Sequence, residues 1–311
     1  MDTSAEHNDS GTVQERPVVF DCEGSELIGV IHIPRAPRAV GLVTVAAGGI
    51  QFRAGCGRQL VILARKLAEQ GIPVMRFDHR GHGDSAGELL GFQHMERDLA
   101  RAVEVFRENV PQLAQVTLYG GCEAASAIMI SAAQLPGVES AILANPWVDQ
   151  DRRREQAARA HYRRRLLDTR FWKKLFSGQY NLLQYARHFR AYLGGKLGGV
   201  LRGNPESGDA DTGASPDAPA HFEDRMLDGF SRFDGRALFL RSGQNFVGEE
   251  FEQLAASSKA WRAACARDTV RHETIAEADQ TYSTAVSRER LCTAVLAWMR
   301  EMDDAPPGVH P

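Results

Sequence analysis

Residues 117–127, TLYGGCEAASA, put Cys122 where an apolar strand pattern gives way to a helix-forming run. The spacing is Gly120-x-Cys122-x-Ala124, with small residues two before and two after the cysteine. A nucleophile carried on a sharp strand-to-helix turn needs that spacing, because the turn leaves no room for larger side chains at those two positions. A helix starting after Cys122 would direct its N-terminal dipole at the sulfur, which predicts a lowered thiol pKa and a larger thiolate fraction. The competing reading is a cysteine that fills space at a strand end.

Two further loops stand at equivalent points in the pattern. RFDHRGHGDSAGELLGF, residues 76–92, follows a strand and carries Asp78, Arg80, Gly81, Gly83, Ser85 and Gly87 in a D-x-R-G-x-G-x-S-x-G array. A phosphate-cradling glycine loop would open a helix and supply Lys-Ser/Thr, which this stretch lacks. AAGGIQFRAG follows the strand of residues 39–47. The three loops, in this order, resemble the α/β-hydrolase family. That resemblance implies Cys122 as nucleophile, Gly120 and Ala124 as the small elbow positions, and an oxyanion hole from the backbone N–H groups of Gly49, Ile50 and Glu123.

The segments GGIQFRAGCGRQLVILAR, GGCEAAS, NPWV, RRLLDTRFWKKLFSG and SSKAWRAACAR together resemble the first type of exosortase A system-associated hydrolase, over roughly residues 16–302. The resemblance implies a cytoplasmic bacterial hydrolase with a Cys nucleophile, working beside an exosortase and exopolysaccharide system on an ester, thioester or related acyl bond. A complete triad would take its acid from SGQNFVGEEF and its base from AEADQTYS. Asn245 stands where Asp is expected and Gln280 where His is expected. An amide takes no proton near neutral pH, so Gln280 can neither deprotonate Cys122 nor protonate a leaving group. With no imidazole to orient, an Asp at 245 would be an unpaired buried charge, so Asn is the consistent neutral partner. His79 and His82, on the 76–92 loop, are the candidate substitute bases; Glu123 and Asp279 are weaker ones, and His272 falls near the start of the last strand, away from the edge. Two readings therefore stand: a hydrolase with an incomplete triad, and a catalytically degenerate binding or scaffold protein.

The elements that would position these residues follow from periodicity. Short apolar runs alternate with amphipathic helices such as GRQLVILARKLAEQG, where Leu60, Leu63 and Leu67 share a face. This predicts an α/β fold of the α/β-hydrolase type: a mostly parallel sheet covered by helices on both faces, with an inserted helical cap. The expected organisation is a disordered N-terminus at 1–15, core at 16–149, a helical cap at 150–230 with a mobile acidic loop at about 203–221, core again at 231–302, and a tail at 303–311.

Composition bounds the partners. A net charge of −3 over 311 residues gives no global attraction to nucleic acid, and none is expected as a partner. Residues 151–202 nevertheless hold fourteen Lys/Arg against three acids, enough to draw an anionic or carrier-linked substrate or the membrane surface, unless these are simply the solvated faces of cap helices. No secretory signal or transmembrane run is read, so the expected location is cytoplasmic. Five scattered cysteines make neither a disulfide framework nor a metal site, and no metal or other cofactor is expected.

Overall fold

The computed structural model of the chain describes residues 13–47, 52–149 and 221–304. Two ten-residue strands, β1 (Val13–Cys22) and β2 (Ser25–Pro34), pair antiparallel through the Glu23–Gly24 turn, where both residues hold positive φ. Such a turn matches the twist of the flanking strands. β1 starts inside the stretch expected to be disordered: Glu15 pairs with His32 and binds the Arg65 guanidinium, so a polar edge strand is held by its neighbours.

The remaining strands are β3 (Val40–Val45), β4 (Val74–Phe77), β5 (Gln115–Gly121), β6 (Val138–Ala144), β7 (Arg236–Ser242) and β8 (Val270–Ile275). They form one eight-stranded sheet in the order β1-β2-β4-β3-β5-β6-β7-β8, parallel from β4 to β8 and antiparallel at β1, β2 and the β2–β4 junction. Every residue of β3 is buried, as a parallel strand covered on both faces must be. Alternate residues feed two cores. Val43 and Val45 join one face with α2 (Glu96–Asn109) and α3 (Glu123–Ser131). Val40 and Leu42 join the other with α1 (Gln59–Glu69), whose Leu60, Leu63 and Leu67 point inward as their spacing predicts.

The chain divides into two units, Met1–Val148 with Ala220–Pro311, and Asp149–Pro219. The cap and acidic loop expected over 150–230 fall outside the described residues except for their last turns, and these read differently. Phe222–Arg232 is a helix, α4, belonging to the first unit, with Phe222, Met226 and Phe230 buried in the same core as α3. The second half of the core completes with α5 (Phe246–Ser257), α6 (Lys259–Cys265) and α7 (Ala285–Asp304). The single helix expected across 249–267 is broken at Ser258, which turns extended and caps the Trp261 N–H with its hydroxyl.

α4 seats against α3 through Gly229, where an added Cβ would lie 2.5 Å from the carbonyl oxygens of Met129 and Ile130. Backbone cannot yield as a side-chain tip can. Gly229→Ala should therefore lower unfolding stability by about 1–3 kcal/mol, as overpacking does elsewhere, read from the urea midpoint at unchanged slope.

Candidate active site

β5 ends at Gly121 and α3 begins at Glu123, leaving one residue for the turn. Cys122 takes φ 56° and ψ −124° to make it. A non-glycine residue there carries strain of about 1–3 kcal/mol, held only when its surroundings over-determine it. They do so here. The Cys122 N–H donates to the Ala144 carbonyl at 2.9 Å, and its own carbonyl accepts from the N–H groups of Ala125 at 3.0 Å and Trp147 at 3.3 Å. Ser126 fixes the same turn by donating its hydroxyl to the Trp147 carbonyl at 2.8 Å. A Cβ at Gly120 would sit 2.7 Å from the Ala124 backbone, which explains the small residue at that position. Trp147 then stacks on Phe222 and meets Phe92 edge-on, tying the β6 end to α4.

The Cys122 sulfur faces a cleft at the carboxyl edge of the parallel strands, lined among the described residues by Val45, Ala46, Ala47, Gln59, Leu60, Tyr119, Gly121, Gln280, Thr281 and Tyr282. Gln280 and Cys122, 158 positions apart in sequence, meet there: the Gln280 amide donates to Sγ at 3.3 Å. The loop that carries Gln280 is firmly held. The Asp279 carboxylate accepts from the N–H groups of Thr281 and Ser283 at 3.1 and 3.0 Å and from the Ser283 hydroxyl, and those bonds lower its pKa. This commits Asp279 to the turn rather than to proton transfer. Tyr282, at φ 51°, is buried with its phenol pushed up to about 12 by burial, against a smaller opposing pull from Ser242 and Asn145.

The electrostatics of the sulfur differ from the sequence expectation. Burial pushes the Cys122 thiol up, and the Glu123 carboxylate adds to this; the Glu123 N–H and the Gln280 amide pull it down by less. The Glu123 N–H at the helix N-terminus reaches the sulfur, but desolvation of the charged form outweighs that bond, so the thiol is raised rather than lowered. Glu123 is itself raised by burial.

The other expected positions separate. Asn245 caps α5, its Oδ1 accepting from the Val247 N–H at 3.0 Å. Gly49 and Ile50 lie outside the described residues. His79 and His82 stack on each other with ring centroids 4.6 Å apart and do not line the cleft. Burial, with His82 adding to it, lowers the His79 pKa. The 78–85 loop holds its neighbour in place: buried Asp78 accepts from the Arg53 N–H at 2.6 Å and from its guanidinium, and Gly83 leaves no space for a Cβ beside that carboxylate.

Asn145 is the polar residue at this edge that sequence reasoning missed. It is buried at φ 46°, with Oδ1 accepting from the Ser242 N–H at 2.8 Å and Nδ2 donating to the Ser242 hydroxyl at 2.9 Å, and so locks the ends of β6 and β7 together. An asparagine directly after a strand, able to hold positive φ, was the available signal.

A family model described as serine aminopeptidase, S33, matches residues 49–187, which include Cys122 but neither Asn245 nor Gln280. An esterase of Pyrococcus furiosus superposes with TM-score 0.59 at 13% identity, covering 93% of each chain. The fold is that of the α/β-hydrolases. Est1E from Butyrivibrio proteoclasticus, solved with ferulic acid bound, gives TM-score 0.57 at 16% identity over 93% of this chain and 100% of its own. A serine hydrolase without a lid from Xanthomonas campestris gives 0.53 at 13%, over 94% and 97%. No curated protein matches the chain. In α/β-hydrolase terms, this chain holds an elbow with cysteine at its apex and an amide on the sulfur.

Because the thiol pKa is raised in the folded state, thiolate chemistry at Cys122 should appear only as pH climbs past the range of an ordinary cysteine. The pH–rate profile of Cys122 alkylation by iodoacetamide, followed by peptide mass spectrometry, should have its midpoint above that of a free thiol. A midpoint below it would show that the helix N-terminus wins.

Proposed function

We propose that this protein is a hydrolase of ester, thioester or related acyl bonds in which Cys122 is the nucleophile. The observation that carries this reading is the strained elbow itself: a cysteine at positive φ, at the C-terminal edge of the sheet, with its sulfur facing a cleft and bonded by the Gln280 amide. Two of the fold neighbours described above are an esterase and a protein holding ferulic acid, which supports acyl chemistry. The sulfur attacks the acyl carbon to give a thioester on Cys122, and the thiol's proton leaves with the departing alcohol or thiol. Water then cleaves the thioester and restores the Cys122 thiol. The Glu123 N–H is one donor for the developing oxyanion, and Gly49 and Ile50 are the expected source of the other. Motif resemblance in the elbow, the FW-K-L-SG segment and the NPW turn supports a cytoplasmic role beside an exosortase and exopolysaccharide system.

A second reading has its own observation. An amide on the sulfur and a thiol raised by burial describe a pocket that has lost proton transfer and binds without turning over. Activated short-chain esters separate the two. Turnover by the parent protein that disappears in Cys122→Ala supports the hydrolase. No turnover in the parent, with turnover appearing in Gln280→His plus Asn245→Asp, supports the binding protein. In a slow parent enzyme the same double substitution should raise the rate by about 10²- to 10⁴-fold, the usual contribution of a positioned base.

A further inference from the structure

The residues around the Cys122 sulfur share a property that the fold does not require: among the described residues none of those lining the cleft is charged. Gln59, Gln280, Thr281, Tyr119 and Tyr282 supply its polar groups, and the rest are aliphatic or glycine. Two described charges close by are turned elsewhere. Arg53, on the loop that leads into α1, is bound to Asp78 and Asp84. Asp279 is committed to Thr281 and Ser283. Among the described residues, the ionisable side chain whose charge acts on the sulfur is Glu123, and its sign opposes a second anion.

We infer that the group bound against Cys122 is an uncharged acyl group, and that a carboxylate or phosphate is excluded from the position next to the sulfur. This rests on the reading of Cys122 as the reacting group. An anion entering the cleft would give up its water and find no cation among the described lining residues to replace it, which is the costly case for burying charge. Neutral amides, hydroxyls and aliphatic walls suit an acyl chain that is apolar or carries hydroxyl or amide groups. Any anionic part of a carrier-linked substrate belongs outside this cleft.

Paired alkylating agents of opposite character test the inference without requiring turnover. In each case the Cys122 thiolate displaces iodide and a thioether forms, so the thiol pKa cancels when the two rates are divided. With 2-mercaptoethanol as the uncharged reference thiol, the iodoacetamide-to-iodoacetate rate ratio at Cys122, read by peptide mass spectrometry, should exceed the reference ratio by about tenfold or more. Thr281→Lys, which puts a cation into the cleft, should pull that ratio back toward the reference. Glu123→Gln should move it the same way by less. A parent ratio equal to that of 2-mercaptoethanol would overturn the inference. So would a ratio unmoved in Thr281→Lys protein that keeps the parent's thermal unfolding temperature. A protein with no esterase turnover but a high ratio would refute the hydrolase and leave the neutral cleft standing.

Discussion

The φ of 56° at Cys122 is a conformation that an L-residue holds only under compulsion, and the geometry of the surrounding edge is what compels it. β5 must end and α3 must begin within one residue, which puts the Gly120 Cα against the Ala124 backbone and forbids a Cβ there. The backbone of Cys122 is then pinned from β6 through Ala144 and Trp147, and Ser126 locks Trp147 in turn. Asn145, between those two anchors, fastens β6 to β7, so the strain at the elbow is distributed over three neighbouring strands. Each contact is local and modest. Their agreement on one backbone geometry is what keeps the sulfur at the mouth of the cleft.

Around that point, Glu123 apart, several charges of the described loops are paired with one another. Arg53 joins Asp78 and Asp84; Arg80 joins Asp98 and Glu23; Asp279 collects the donors of its own turn. These pairs stiffen the loops after β4 and β8 at the edge where Cys122 stands, and they leave the described lining of the cleft neutral. A stiff, neutral cleft has an electrostatic consequence for the thiol. With no cation among the described lining residues to offset burial, desolvation is the largest influence on its ionisation, and the two hydrogen-bond donors on the sulfur only reduce the effect.

How far the sequence could be read follows the range of the interactions involved. The tight turn between β5 and α3 could be read from spacing because Gly120, Cys122 and Ala124 act on one another within five residues. The alternating strands and helices were legible for the same reason, since each records its own burial in its own periodicity. The sign of the Cys122 pKa shift was not legible. It depends on how much protein surrounds the sulfur, while the helix dipole that argued the other way is a local feature. α4 was hidden because Phe222, Met226 and Phe230 follow a long basic and glycine-rich stretch, and only contact with α3 shows that they belong to the core. Asn145 had a recognisable place after β6, but its partner Ser242 lies 97 positions away.

Cysteine at 122 and glutamine at 280 are consistent with each other in a way that serine and glutamine would not be. A serine hydroxyl ionises so far above neutral pH that without a base its oxygen is inert, whatever donors surround it. A thiol lies close enough to neutrality that one hydrogen bond to the sulfur changes the accessible thiolate by a meaningful factor. The Gln280 amide supplies such a bond at 3.3 Å, and does so without the pH dependence an imidazole would bring. An amide donor stabilises a thiolate but cannot carry a proton away, so on the proposed reading it would help attack and do nothing for departure of the leaving group. If Cys122 is the nucleophile, as proposed, its acyl groups would need a leaving group that departs readily with the proton the thiol itself gives up, which would favour activated esters and thioesters over amides.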